Sequence, residues 1–109
     1  MENFIFKDDK EMQQVSVGVK RKILAYSDNL MVCELHFEKG ATGALHQHPH
    51  EQCTYILEGA FEFDVDGIKH IVRKGDALFK QPDVIHGCVC VEEGSLIDIF
   101  SPKREDFLK

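Results

Sequence analysis

Two histidines separated by a single residue, His46 and His48, stand in the segment of this sequence with the strongest chemical character. On a β-strand, this spacing places both imidazoles on the same face, which is a metal-chelating geometry. Gln52 opens the next predicted strand, and its amide oxygen is available as a third ligand. The segment therefore predicts a metal site that uses two imidazoles and an amide.

A second segment, downstream, ends in another histidine. It runs from Gly75 to His86 and reads as a turn, a short strand, a proline turn at Pro82 and the start of a further strand. His86 is placed to complete the metal site from across a barrel. Imidazole ligands suit zinc, copper, iron and nickel. We expect one divalent ion as the cofactor: nickel, zinc, manganese or iron.

The same histidines also have an ordinary interpretation. Taken alone, a His-x-His pair on a strand is more often solvated or hydrogen-bonded than metal-binding. His36 and His70 are expected to belong to that ordinary class, and His50 is expected to stay outside the ligand set. The metal prediction therefore depends on the strands that surround the pair.

Those surroundings alternate apolar and polar residues with a period of two, which indicates β-strands. Met31–Phe37 and Phe61–Val65 are the best examples, and Asp66-Gly67 predicts a tight hairpin into Ile68–Val72. Other predicted elements are strands at Val17–Ala25, Gln52–Glu58, Ala77–Gln81, Ile85–Val91 and Ser95–Phe100, and a helical turn at Lys7–Gln14. Short strands joined by tight turns indicate an antiparallel sandwich or barrel, here a single domain over residues 1–109.

Together, the two segments resemble the paired motifs of the cupin superfamily. The first motif, G-x5-H-x-H-x3,4-E-x6-G, fits every spacing from Gly40 to Gly59, with Gln52 in place of the usual Glu. The second, G-x5-P-x-G-x2-H, fits from Gly75 to His86 in length, although Gln81 and Asp83 stand at its proline and glycine positions. The resemblance implies a small all-β cupin domain, a double-stranded β-helix or jelly-roll barrel. It also supports His46, His48, Gln52 and His86 as the metal ligands.

Glutamine in place of glutamate has a physical consequence. Three neutral imidazoles and a neutral amide leave a divalent ion with its full double charge. Such an ion is a strong Lewis acid and a good anion site within an acidic protein. The same change weakens the similarity to non-haem iron oxygenases, which favour two histidines and a carboxylate.

A closer resemblance covers nearly the whole chain. The stretches Gly18–Tyr26, His46–Gln52 and Asp98–Phe107 look like the KdgF family, small cupins of pectin and alginate breakdown. That family converts cyclic 4,5-unsaturated monouronates into the linear 4-deoxy-5-keto-uronate. The resemblance implies that Asp98 and Arg104 are catalytic, and that Arg104 and Phe100 contact the substrate beside the metal.

The residue types suit that chemistry. The metal and Arg104 are both able to grip the substrate carboxylate, arginine through a bidentate pair. Asp98 is a plausible acid and base for proton transfer to C4 and from a hemiketal hydroxyl. A structural Asp98–Arg104 salt bridge would explain a buried Asp equally well. On composition alone, Phe100 suits the core, and Arg104 suits a solvated tail.

Charge and composition restrict the partners. Thirteen Lys and Arg against nineteen Asp and Glu give a net charge of −6, which argues against nucleic acid and anionic membranes. No signal peptide is recognised, so the cytoplasm is the expected location. The four cysteines lack zinc-site spacing and are expected to be reduced and largely buried: Cys33, Cys53, Cys88 and Cys90.

The expected partners are a small unsaturated uronate and, by analogy with related cupins, a second copy of the chain in a homodimer. Two other functions stay open. One is a metal-dependent oxygenase or isomerase that acts on another small substrate. The other is a sugar-binding cupin without catalysis, although such a sensor normally carries an output domain and 109 residues leave little room for one.

Overall fold

The structure, a computed structural model that describes residues 3–109, is built from eight antiparallel β-strands. The strands are β1 (Gln13–Ser16), β2 (Val19–Tyr26), β3 (Met31–Phe37), β4 (Thr42–His46), β5 (Glu51–Val65), β6 (Ile68–Arg73), β7 (Ala77–Lys80) and β8 (His86–Ser101). Two short 3₁₀ helices lie at Lys7–Asp9 and Glu105–Leu108. Met1 and Glu2, which begin the segment in which no signal peptide is expected, lie outside the described residues.

The two long strands β5 and β8 organise the sheet. The strand order is β1-β2-β3-β8-β5-β6, with β4 paired to β8 and β7 paired to β5. This arrangement confirms the predicted all-β class. No helix within residues 3–109 is long and apolar enough to cross a membrane.

The prediction of separate strands on either side of Gly59 and Gly94 is wrong. Gly59 lies inside β5, at φ 81°, where the register of the β5–β8 pairing is irregular. A Cβ at this position would lie 2.5 Å from the carbonyl oxygen of Glu93. The antiparallel pairing of β5 with β8 has register shifts between Ile56 and Phe61, and bulges of this kind bend a strand.

Two other local predictions have different outcomes. Asp66 and Gly67 have φ values of 53° and 81° and connect paired Val65 and Ile68, which confirms the tight hairpin. The helical turn predicted at Lys7–Gln14 is confirmed only as the 3₁₀ helix, because residues from Gln13 onward pair with β2 instead.

The interior has an apolar part and a polar part. The apolar core comprises Val19, Phe37, Ile56, Phe61, Phe63, Cys90 and Leu96, with a smaller cluster of Met31, Cys33 and Phe100. The buried polar residues are His48, Gln52, Thr54, Lys80, His86 and Asp98. Buried polar groups require partners, so the contacts of this second set define the polar part of the interior.

Candidate metal centre and active site

Three of the four predicted metal ligands form a histidine cluster. His46 ends β4 and pairs in register with His86, the first residue of β8, while His48 lies in the loop after β4. One ligand atom of each lies within 4.8 Å of the other two. The fourth, Gln52, places its Oε1 atom 3.0 Å from His48 Nε2. The structure therefore brings all four side chains to one place.

The main chain sets the orientation of all three imidazoles. Each Nδ1–H donates a hydrogen bond to a backbone carbonyl, which leaves Nε2 with its lone pair. The carbonyls accepting from His46, His48 and His86 belong to Ala44, His50 and Val84, at 2.7, 3.1 and 3.0 Å. Hydrogen bonds of this kind fix the tautomer of metal-binding histidines in proteins.

The electrostatics of this cluster suit a cation. His86 Nε2 is buried and has no hydrogen-bond partner within residues 3–109. In the tautomer described above, His48 Nε2 directs a lone pair at Gln52 Oε1, and two such lone pairs repel each other. Protonation would relieve the repulsion, but burial lowers the pKa of His48, with a further contribution from the charge of Arg104.

Burial also lowers the pKa of His86, to about 4. A divalent metal ion would satisfy every bare Nε2 without protonation. His48 Nε2 and Gln52 Oε1 lie 3.0 Å apart, close enough for both to contact one ion. The histidine cluster is thus able to hold a metal ion, and the chemistry of the donors fits one.

A cavity of about 260 Å³ lies beside the cluster. His46 and Gln52 contribute to its wall, together with Asp98, Phe100 and Arg104, the residues implied by the KdgF resemblance. The open side of the metal site and the predicted catalytic groups therefore face one space.

Asp98 lies on β8 and is only 9% exposed. Its Oδ1 atom accepts a hydrogen bond of 2.6 Å from the hydroxyl of Thr54, which is its partner across β5 and β8. Lys80 Nζ in turn donates to Thr54 Oγ1 at 2.7 Å. Burial lowers the pKa of Lys80, and the negative charge of Asp98 opposes that shift.

Arg104 does not form the structural salt bridge to Asp98. Its Nε–H and Nη2–H donate to the two carboxylate oxygens of Asp106, at 3.0 and 2.8 Å. The Arg104 side chain is 12% exposed, so the alternative of a solvated tail residue is also wrong. Its guanidinium carbon lies 5.1 Å from the ring centroid of Phe100 and 4.2 Å from that of Phe107.

Phe100 is 2% exposed and forms part of the wall behind the metal site. Its ring centroid lies 5.9 Å from that of His48 and 5.6 Å from that of Phe107. The aromatic ring therefore belongs to the smaller core cluster and to the cavity at the same time.

Sequence reasoning assigned no specific role to three further residues: Arg21 and Lys80, which line this cavity, and Thr54, which contacts Asp98. The guanidinium carbon of Arg21 lies 3.6 Å from the ring centroid of Phe107, so this ring contacts the guanidinium groups of both Arg21 and Arg104. Within residues 3–109, Arg21 forms no ion pair. The strand positions of Thr54 and Lys80 could have indicated their burial. Side chains on a strand alternate between its two faces, and the neighbours of both residues point outward, so these two point inward.

The other histidines and the cysteines lie outside the cluster. His36 contacts Ser95 and Glu93, and His70 is exposed. His50 Nε2–H donates to the carbonyl of Lys103 and so anchors the segment that carries Arg104. All four cysteines are free thiols, and burial raises the pKa of Cys33 to about 12 and that of Cys88 to about 11.

Comparison with known proteins agrees with this geometry. The family described as Cupin domain matches residues 33–100. The pectin degradation protein KdgF of Dickeya dadantii (strain 3937) is 44% identical over 110 residues, covering 99% of this chain and all of that protein.

Two solved structures are also very similar. An RmlC-like cupin from Shewanella frigidimarina NCIMB 400 superposes with a TM-score of 0.95 at 43% identity, covering 98% of this chain and 96% of that one. KdgF from Halomonas sp. gives a TM-score of 0.93 at 38% identity, covering 98% and 99%. The chain belongs to the cupins and, among them, to the family of the pectin degradation protein KdgF.

Proposed function

We propose that this protein is a metal-dependent enzyme that opens the ring of cyclic 4,5-unsaturated monouronates to give the linear 4-deoxy-5-keto-uronate. The observation that carries the proposal is the shared cavity. One imidazole of the histidine cluster, that of His46, faces the same space of about 260 Å³ as a buried carboxylate and two guanidinium groups. Near-full-length similarity to a pectin degradation protein supports the substrate class.

The proposed reaction needs proton transfers but no oxidant. Water adds across the C4=C5 bond, with hydrogen to C4 and hydroxyl to C5, which forms a hemiketal. The hemiketal hydroxyl then loses its proton as the C5 carbonyl forms, and the bond from C5 to the ring oxygen breaks as that oxygen takes a proton. The hydrated aldehyde left at C1 loses water, so the product is an isomer of the substrate.

Asp98 is assigned to these proton transfers. Its carboxylate lines the cavity and is held by one hydrogen bond, so it is able to accept a proton from a hydroxyl and return it to carbon or to the ring oxygen. Phe100 beside it supplies an apolar wall, which limits the access of bulk water to the reacting atoms.

Arg104 is assigned to the substrate carboxylate. One bidentate edge of its guanidinium is occupied by Asp106, so the substrate would use the remaining donors. Arg21, whose guanidinium also contacts Phe107, adds a second positive charge. When bound, a divalent ion of nickel, zinc, manganese or iron, held by His46, His48, Gln52 and His86, supplies Lewis acidity that stabilises negative charge on substrate oxygens.

The test is direct. The enzyme, loaded in turn with each of the four metals, is mixed with an unsaturated monouronate, and the loss of the enol-ether absorbance is followed while NMR identifies the product. Linear keto-uronate is the expected product. The matched control is a His46→Ala/His48→Ala variant, which should bind almost no metal, because the cysteines are not expected to form a second site.

Three results would contradict the proposal. Unchanged absorbance at full occupancy with all four metals would exclude the reaction. Oxygen consumption by the iron-loaded protein would favour the oxygenase alternative. Saturable sugar binding without turnover would favour the sensor.

We also propose a homodimer that forms through the outer face of the sheet. Apolar residues alternate there with the buried site residues on β5, β7 and β8: Cys53, Tyr55, Phe79, Ile97 and Ile99. The register places Cys53 beside both Phe79 and Ile99, so the residues form one continuous patch. Tyr55 and Phe79 are 46% and 50% exposed, and exposed apolar patches mark interaction surfaces.

The proposal includes two simpler points about the whole chain. A single domain should unfold in one cooperative transition. A cytoplasmic location, where the monouronate would meet the enzyme, is checked by cell fractionation.

A further inference from the structure

A chain of buried polar groups leads from Asp98 through Thr54 to Lys80, which also contributes to the wall of the cavity. Thr54 is fully buried and Lys80 is 2% exposed. The bonds run from Lys80 Nζ to Thr54 Oγ1 at 2.7 Å, and from the Thr54 hydroxyl to Asp98 Oδ1 at 2.6 Å. The only aromatic ring close to the Lys80 ammonium belongs to Phe63 among the described residues, with its centroid 4.8 Å away.

The direction of these hydrogen bonds follows from the chemistry of the groups. The lysine head group donates to the threonine oxygen, so the single hydroxyl hydrogen of Thr54 is directed elsewhere, and Asp98 Oδ1 receives it. Hydrogen bonds in such a series polarise one another and gain strength. Oδ1 of Asp98 is therefore held as an acceptor.

The second oxygen of Asp98 is in a different situation. Within residues 3–109, no protein group forms a hydrogen bond with Oδ2. Oδ2 is accessible to solvent, since it is not among the fully buried polar atoms that lack a partner. Because Asp98 lines the cavity, Oδ2 is the oxygen that faces it. The two oxygens of one carboxylate thus have separate environments.

We propose that Thr54, supported by Lys80, is a positioning residue that holds Asp98 through Oδ1 and so presents Oδ2 as the atom that exchanges protons with the substrate. This inference rests on the proposed function. A carboxylate that rotates freely about its χ angles would present either oxygen, at varying distances. Misplacement by about 1 Å is enough to cost a rate factor of about 100.

A purely structural role is the competing explanation. Thr54 and Lys80 would then only satisfy each other in a buried region, and their loss would lower stability without acting on the chemistry. Both explanations predict a lower melting temperature after substitution. The measurement must therefore separate turnover from folding and from substrate binding.

The experiment compares Thr54→Val with Thr54→Ser. Valine keeps the shape and removes the hydroxyl, whereas serine keeps the hydroxyl and loses a methyl group. With metal content matched, Thr54→Val should lower kcat by about 10- to 100-fold and leave KM within about two-fold. Thr54→Ser should retain kcat within about three-fold, since its hydroxyl is able to make both bonds.

A double variant tests whether Thr54 acts through Asp98. If it does, Thr54→Val/Asp98→Asn should be no slower than Asp98→Asn alone, because the group that Thr54 positions has already been removed. If Thr54→Val does not fold, Lys80→Met provides the same test, since it removes the donor that directs the hydroxyl and keeps the length of the side chain. Its kcat should also fall while KM is retained.

The outcomes separate the two levels of inference. A wild-type enzyme without turnover would overturn the proposed function itself. An active wild type with equal kcat values for the valine and serine variants would overturn only the positioning role. The positioning role would also be overturned if the fold-loss of kcat in the Thr54→Val/Asp98→Asn variant equalled the product of the fold-losses in the two single variants.

Discussion

Replacing Asp98 by asparagine keeps the shape of the side chain and removes its ability to accept a proton. The amide oxygen of the new side chain would still be able to accept the hydrogen bond that Thr54 now gives to Oδ1 at 2.6 Å. General acid–base catalysis contributes about 10²- to 10⁴-fold to a rate. The same range should be lost from kcat, which corresponds to about 3–5 kcal/mol of activation free energy.

The same substitution should also lower stability. The bond from Thr54 becomes a neutral one, and Lys80, 2% exposed, loses the negative charge near it. A cost of about 1–3 kcal/mol in the free energy of unfolding is expected for a buried group that loses such a partner. Because Arg104 bonds to Asp106 and not to Asp98, the losses in Asp98→Asn and Arg104→Ala should add.

The assay measures kcat, KM, metal content and melting temperature for the wild type and Asp98→Asn. Asp64→Asn is the matched control, because Asp64 lies outside the cavity and accepts a hydrogen bond from the Gly67 amide. It should leave kcat unchanged. Near-normal turnover by Asp98→Asn at full metal occupancy would refute the catalytic assignment.

Three other predictions concern charge and assembly. Arg104→Ala should chiefly raise KM, since the substrate carboxylate is charged in the ground state and transition state alike, and Arg104→Lys should restore only part of the binding. Burial lowers the pKa of His86 to about 4 from 6.5, so the unfolded chain binds more protons than the folded chain between these pH values. The metal-free protein should therefore lose up to about 3 kcal/mol of unfolding free energy as the pH falls from about 6.5 to 4. Thermal unfolding at a series of pH values measures this loss. Tyr55→Lys should shift the dimer toward monomer in light scattering, whereas Ile71→Lys, 49% exposed on β6 and away from the proposed face, should not.

Each of these predictions has an outcome that would contradict it. A fall in kcat at unchanged KM in Arg104→Ala would move Arg104 from substrate binding to the chemical step. A melting temperature that does not depend on pH between about 6.5 and 4 would show that His86 is not buried in its neutral form. A monomeric wild type, or equal dissociation of the Tyr55 and Ile71 variants, would contradict the proposed face.

The sequence predicted the histidine cluster because the relevant information is local. A spacing of two residues places His46 and His48 close together, and the length from Gly75 to His86 is that of one strand and one turn. Period-two alternation likewise predicted the strands near the site. The set of four ligands and the identity of the metal stay predictions.

The remaining contacts depend on distances across the fold, which no local pattern contains. Gly59 resembles a turn glycine in sequence, and only the approach of Glu93 shows that it lies within a long paired strand. Arg104 lies in a charged tail by sequence, but packing on Phe100 and Phe107 buries it. Lys80 is an unusual interior residue. Its position in the strand alternation indicated burial, but its hydrogen-bond partner, Thr54 on another strand, was not predictable from the sequence.

The candidate site depends mainly on one pairing of strands. Across β5 and β8, Thr54 lies opposite Asp98 and Gln52 lies opposite Phe100, so the ligand, the carboxylate and its support are fixed by a single register. A slip of one residue would place the side chains of Gln52 and Thr54 on the opposite face of the sheet from those of Asp98 and Phe100. Close packing at Gly59 opposes such a slip, because a residue with a Cβ at this position would clash with the backbone of β8. The register between β5 and β8 thus decides whether these four side chains share one face of the sheet.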